Sequence, residues 1–150
     1  MNTLSRRQTF VLFGWAAAAF ALLRSSHVAA QANDIVAEFT GGKPPVAGRV
    51  ELDIPFTADN ANSVPLGIKV DSPMTADNYC SEVLVIADKN PRPKVCSFKF
   101  EPGLGVPYLT TRIRLAESQN VTVFVKMNDG SVFMTRKAVT VTSGACAPGG

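Results

Sequence analysis

The residues of this 150-residue chain best suited to covalent chemistry are its three cysteines, Cys80, Cys96 and Cys146. Cys146 stands inside the closing stretch Thr-Ser-Gly-Ala-Cys-Ala-Pro-Gly-Gly, residues 142–150. That stretch has no large apolar side chain to bury. Gly144, Gly149 and Gly150 leave the backbone loose, and Pro148 interrupts helix or strand. Such a terminus is expected to behave as a flexible arm. Fully extended, it carries the Cys146 thiol roughly 13 Å beyond Thr142. Nothing beside Cys146 in sequence is a base, a cation or a helix start, so the thiol is not expected to be self-activated. It suits a handle on which other proteins act. An incidental tail cysteine and an intermolecular cross-link are the other readings, and a thiol enzyme would need a depressed pKa.

Cys80 and Cys96 fall on two strand-like segments, about equally far from Asp88. A hairpin centred there would make them cross-strand neighbours, within disulfide range. The spacing therefore suggests a Cys80–Cys96 disulfide. Two separate buried thiols are the alternative, since a slip of one residue would put them on opposite faces. An odd number of cysteines leaves at least one free or paired outside the chain.

The elements that would position these thiols begin after a leader. Arg6 and Arg7 follow Ser5, an apolar run extends from Thr9 to Leu23, and Ala30-Gln31-Ala32 is a small-x-small cleavage site. Residues 1–32 thus read as an export signal, with the paired arginines favouring the twin-arginine route and a periplasmic destination. The run is shorter than the roughly 20 residues that a membrane span needs, so no membrane attachment is expected after cleavage. The whole chain has 15 Lys+Arg against 12 Asp+Glu. Arg6, Arg7 and Arg24 are the only charges before residue 33, and removing them leaves twelve of each sign. The basic balance belongs to the leader, so nucleic acid is not an expected partner. The only His (His27) and the only Trp (Trp15) leave too. A mature chain without histidine has no Ser-His-Asp triad, no Cys-His pair and no His-ligated metal. The aspartates Asp71, Asp77, Asp88 and Asp129 sit in turn-like stretches and form neither a carboxylate pair nor a calcium loop. No metal site or cofactor is expected.

Residues 33–141 read as one domain of short strands. Asn33–Phe39 is taken as a first strand. In Arg49–Phe56 the residues Val50, Leu52, Ile54 and Phe56 would share a buried face. Further strands are expected over Val64–Val70, Cys80–Ala87, Lys94–Phe100, Tyr108–Ala116, Gln119–Met127 and Ser131–Thr142. The Asn128-Asp129-Gly130 turn is a hairpin signal, and an irregularity is expected at Arg136-Lys137. Arg112 and Arg114 read as a solvated strand face. About eight strands without a long helix imply an all-β, immunoglobulin-like antiparallel β-sandwich, with a small barrel as the second choice.

Four stretches carry a family resemblance. Asn62-Ser63-Val64-Pro65, Asp71-Ser72-Pro73-Met74-Thr75, Ala87-Asp88-Lys89-Asn90-Pro91 and Thr111-Arg112-Ile113-Arg114-Leu115-Ala116, in that order, resemble SoxY, the sulfur carrier of the periplasmic thiosulfate-oxidising system. The resemblance covers most of the chain from Asn60 onward. It implies an immunoglobulin-like sandwich paired with a SoxZ-like β subunit, and a non-catalytic protein that holds its sulfur substrate covalently on Cys146. It further implies three partner enzymes: a haem-containing sulfur transferase, a sulfate-releasing hydrolase and a sulfane dehydrogenase. The arm departs from the family's usual Gly-Gly-Cys-Gly-Gly ending. Ala145 and Ala147 flank Cys146, and Pro148 precedes Gly149 and Gly150. The alternative from another class is a secreted structural or binding sandwich whose tail cysteine cross-links subunits.

Overall fold

The computed structural model describes Val28 and residues 30–142. Its first element corrects the expected strand at Asn33–Phe39, because residues 30–40 form a helix, α1. The apolar residues Ala32, Ile35, Val36 and Phe39 recur at helical spacing, and Ala30, Gln31, Ala37 and Glu38 are strong helix formers. The two adjacent β-branched residues had suggested a strand. Gly41 and Gly42 end α1 with φ of 61° and 79°, and their amides donate back to the carbonyls of Glu38 and Ala37.

Nine strands follow. They are β1 (Val46–Ala47), β2 (Val50–Asp53), β3 (Thr57–Ala58), β4 (Val64–Val70), β5 (Cys80–Ala87), β6 (Lys94–Lys99), β7 (Tyr108–Ile113), β8 (Gln119–Met127) and β9 (Val132–Val141). One sheet runs β1-β9-β8-β5-β6, with β3 also lying along β9, and the other runs β2-β4-β7. Packed face to face, they form the expected immunoglobulin-like sandwich rather than the barrel. Every strand pair is antiparallel except β1 and β3, which run parallel to β9.

The central strands β5 and β8 are covered on both faces, which is why they read as nearly continuous apolar runs. Val83, Val85, Val121, Val123 and Val125 point into the main core with Leu52, Leu66, Ile68 and Leu115. Leu84, Ile86 and Phe124 point the other way, and α1 covers them with Ala32 and Phe39. The Phe39 and Phe124 rings are tilted at 57° with centroids 6.5 Å apart. Burying a side chain of this kind is worth about 1.5–3 kcal/mol, so α1 is an integral layer of the domain.

Three further expectations change. Strand β2 stops at Asp53, and Phe56, expected on the buried face, is 73 % exposed. Pro55 and the left-handed Arg49 (φ 56°) bound the regular stretch. No irregularity occurs at Arg136-Lys137, because the β8–β9 ladder is unbroken from Gln119↔Val139 to Lys126↔Val132. Two adjacent cations are accommodated there because Arg136 reaches Asp88 at 3.4 Å and Lys137 stays exposed. The register shifts lie instead in β5, at Cys80/Glu82 and Val85/Ile86. Finally, Val83 faces Phe98 and Val85 faces Cys96. The β5–β6 hairpin is therefore centred between Asn90 and Pro91, not at Asp88.

Candidate functional site

That change of centre decides the fate of two thiols. Cys96 opposes Val85, five residues along the strand from Cys80, and Cys80 opposes Met127 on the other side. Five strand residues span roughly 16 Å, far beyond a disulfide's reach. The expected Cys80–Cys96 bond is not formed, and both are free thiols. Cys80 is completely buried, with its amide donating to Ser72 Oγ at 3.0 Å. Burial pushes its thiol up to about 11. Cys96 is half-buried against the main core on strand β6, and burial raises its thiol as well. Thiolate is the nucleophilic form, so both behave as small hydrophobes at neutral pH.

Cys146 and its neighbours Gly144, Ala145, Ala147, Pro148, Gly149 and Gly150 lie outside the described residues. The point from which they leave is described. The Val141 amide donates to Ser118 Oγ at 2.9 Å, and the Thr140 amide to the Phe56 carbonyl at 2.8 Å. The Thr142 amide donates to the Ala58 carbonyl at 3.1 Å, and its hydroxyl to Asp59 Oδ1 at 2.8 Å. Strand β9 is thus secured to its last described residue, and Cys146 stands four residues beyond it.

The end of the sandwich where this happens is built from three connections, residues 59–63, 88–93 and 114–118. One side chain ties two of them. Asn90 Oδ1 accepts from the Ala116 amide and from Gln119 Nε2, each at 2.8 Å, while Asn90 Nδ2 donates to the Arg114 carbonyl at 2.8 Å. Gln119, buried below, accepts from the Lys89 amide at 2.8 Å. Asp88 accepts from the Asn120 amide and side chain and from Arg136. Lys89 pairs with Glu117 at 3.2 Å. The Leu115 amide donates to the Ala61 carbonyl at 2.9 Å, joining the third connection. Between residues 61–62, 90–92 and 114–116 a depression of about 660 Å³ opens, with the exposed Arg92 and Arg114 on its rim.

Three of the four stretches that carry the family resemblance therefore converge beside the arm's root. The fourth, Asp71–Thr75, lies at the opposite end, where Met74 is buried with φ 54° and Ser72 holds Cys80. The sequence pattern puts Arg114 on a strand face and Asn90 and Arg92 in a turn. The chain alone gives no signal that Asn90 bonds a loop 26 residues away. Among the described residues, no group of three His, Cys, Asp or Glu side chains converges as metal ligands would.

Comparison with known proteins gives a consistent picture. The model of the family described as "Sulfur oxidation protein SoxY" matches residues 36–146, a span that includes Cys146. No curated protein sequence matches the chain. The sulfur carrier protein SoxY from Chlorobium limicola f thiosulfatophilum is similar in structure, with a TM-score of 0.61 at 24 % identity over 76 % of this chain and 98 % of that one. Superoxide reductases (neelaredoxins) share the fold at lower identity. The protein from Ignicoccus hospitalis has a TM-score of 0.57 at 18 % identity, over 63 % of this chain and 81 % of that one. A point mutant from Archaeoglobus fulgidus in the reduced form has a TM-score of 0.52 at 12 % identity, over 65 % of this chain and 94 % of that one.

Proposed function

The chain belongs to the SoxY family of sulfur oxidation proteins, and from that premise we propose that it is a covalent sulfur carrier with Cys146 as the attachment point. The observation that carries the reading is the contrast among the three thiols. Cys80 and Cys96 are packed against the core, whereas Cys146 follows a strand end secured by four hydrogen bonds (of Thr140, Val141 and Thr142), on a stretch with nothing to bury. A protein with one presentable thiol loads one position.

In the proposed cycle a haem enzyme withdraws two electrons as the Cys146 thiolate and thiosulfate join, giving Cys–S–S–SO₃⁻. A hydrolase then adds water across the terminal S–S bond, releasing sulfate and two protons and leaving Cys–S–S⁻. A sulfane dehydrogenase oxidises the sulfur that remains. The carrier contributes no catalytic group. It holds the adduct by a covalent bond and presents it on a tether of roughly 13 Å. The leader at residues 1–32 and its paired arginines support export to the periplasm by the twin-arginine route, and cleavage there would trim α1 to residues 33–40, keeping Ile35, Val36 and Phe39 against the sheet. A SoxZ-like β subunit would find two unpaired strand edges. Strand β2 lies across from β9, so the free edges of β6 and β7 fall on the same side of the sandwich, and the half-buried Cys96, Phe100 and Leu109 line the seam between them.

The deciding measurement is the intact mass of the protein from its native host, alkylated without reduction. Sulfur adducts mapping to Cys146, and lost in Cys146→Ser, support the carrier. A Cys146-linked dimer without sulfur adducts, even after thiosulfate feeding, overturns it in favour of a cross-linked structural module.

A further inference from the structure

The leader's cut site lies inside a folded element. Ala30, Gln31 and Ala32 all belong to α1. A small-x-small site offers its two small side chains to neighbouring pockets of a peptidase. That needs an extended chain, in which residues i and i+2 share a face. A helix instead turns them roughly 200° apart. The two alanines differ accordingly. Ala30 is exposed, whereas Ala32 is only 9 % exposed and packs with Leu84, Ile86 and Phe124 on the sheet face that α1 covers. The pair does not present itself on one side while α1 is closed. The Ala32–Asn33 peptide bond is held as well, because helical amides at residues 34–36 bond the carbonyls at residues 30–32.

We propose that the first turn of α1 is a processing gate: the leader is cut only from molecules in which residues 30–34 have peeled off the sheet. The inference rests on the leader reading above and is independent of the carrier reading. The twin-arginine route exports folded proteins, so the chain meets its peptidase with α1 already seated. Ile35, Val36 and Phe39 keep the rest of the helix on the sheet while the first turn opens. The opening is therefore local, the fraying of one helix end rather than the unfolding of the sandwich. Water then adds across the Ala32–Asn33 amide, leaving a carboxylate on the leader and an ammonium group on Asn33. The new end is suited to close again. Asn33 is a strong N-cap residue, and Asp34 sets a carboxylate at the positive end of the helix. Release of the mature chain is thereby set by the stability of α1 and not by the peptidase alone.

The test uses the folded full-length precursor and purified signal peptidase in detergent micelles. Hydrogen exchange at the amides of Asp34, Ile35 and Val36 reports the opening of the turn, and the mass of the product locates the cut. Two variants loosen the turn without touching the residues from Ala30 to Asn33. Val36→Gly weakens the helix and its contact with the sheet. Phe124→Ala removes part of the platform and leaves the leader and the helix sequence unchanged. In wild type the three amides should exchange at least roughly ten-fold more slowly than in an unfolded chain, and the product should begin at Asn33. In both variants exchange should quicken by roughly ten-fold, and cleavage should quicken in the same proportion, as it does when a protease acts on a transiently opened state. Equal cleavage rates in the three proteins, despite faster exchange in the variants, would overturn the proposal. Unprotected amides in the wild-type precursor would overturn it too, and that measurement decides the matter even if both variants misfold. A product that begins at another residue denies the leader boundary and the gate with it. A cut at Asn33 at one common rate denies the gate alone. Either failure leaves the sulfur-adduct result standing.

Discussion

Replacing Asn90 by Ala should destabilise the domain by about 2–3 kcal/mol, although Asn90 is neither in the core nor on the arm. The substitution deletes three hydrogen bonds of 2.8 Å, to the Ala116 amide, the Arg114 carbonyl and Gln119 Nε2. At a net value of about 1 kcal/mol each, they sum to about 3 kcal/mol. The Ala116 and Arg114 backbone groups belong to exposed residues and regain water, which lowers the cost. Gln119 is only 5 % exposed, and its amide keeps the Glu117 carbonyl alone at 3.1 Å, so its share is not recovered. A loss of this size lowers Tm by roughly 6–12 °C in a domain of this length. Thermal and urea unfolding followed by circular dichroism measures it, with an unchanged m-value showing that the denatured state is not the cause. Asn90→Asp keeps the two acceptor bonds but sets a carboxylate oxygen against the Arg114 carbonyl, so it should fall between wild type and Asn90→Ala. The reasoning fails if Asn90→Ala lies within about 0.5 kcal/mol of wild type, the range of an ordinary surface substitution, or if Asn90→Asp is the less stable of the two.

Phe39→Ala removes the ring that covers Phe124 and should cost about 3 kcal/mol, read from the urea midpoint. Alkaline stability should fall between about pH 9 and 11. Folded Cys80 keeps its proton to about 11, while the unfolded thiol releases it near the ordinary 9.0, so across that window the folded state binds more protons and stability declines as pH rises. Cys80→Ala should flatten this slope, whatever its effect on absolute stability. Thr142→Val deletes the 2.8 Å bond to Asp59 while keeping the backbone bond to Ala58. It should cost less than about 1 kcal/mol globally, yet speed hydrogen exchange at the Val141 and Thr142 amides several-fold.

How much of this is legible in the chain depends on what each feature rests on. Val64–Val70, Cys80–Ala87 and Gln119–Met127 are strands at the residues expected, because apolar periodicity and run length report burial directly. Helix α1 is hidden in the sequence because Ile35 and Val36 favour strands locally, and the stripe of Ala32, Ile35, Val36 and Phe39 gains its meaning only from the sheet face it covers. The Cys80–Cys96 pairing depended on a turn centre. A shift from Asp88 to the Asn90–Pro91 junction moves Cys96 five residues from its expected partner, and turn residues alone do not fix that centre. The arm is an expectation from composition, and residues 143–150 lie outside the described residues. The rim of Arg92 and Arg114 is not legible in this way, because only the closed sandwich brings segments 24 residues apart to one opening, with Asn90 as the tie.

The last strand also has a mechanical meaning. β9 is zipped to β8 through eight residue pairs without a break, and β1 and β3 flank its other edge in parallel. A pull on the C-terminus acts along the axis of β9, across hydrogen bonds that stand perpendicular to it. These bonds are loaded together in shear rather than peeled one after another. Tension applied at the C-terminus therefore loads the stiffest direction of the body and is spread over the sheet instead of unravelling the strand at its end.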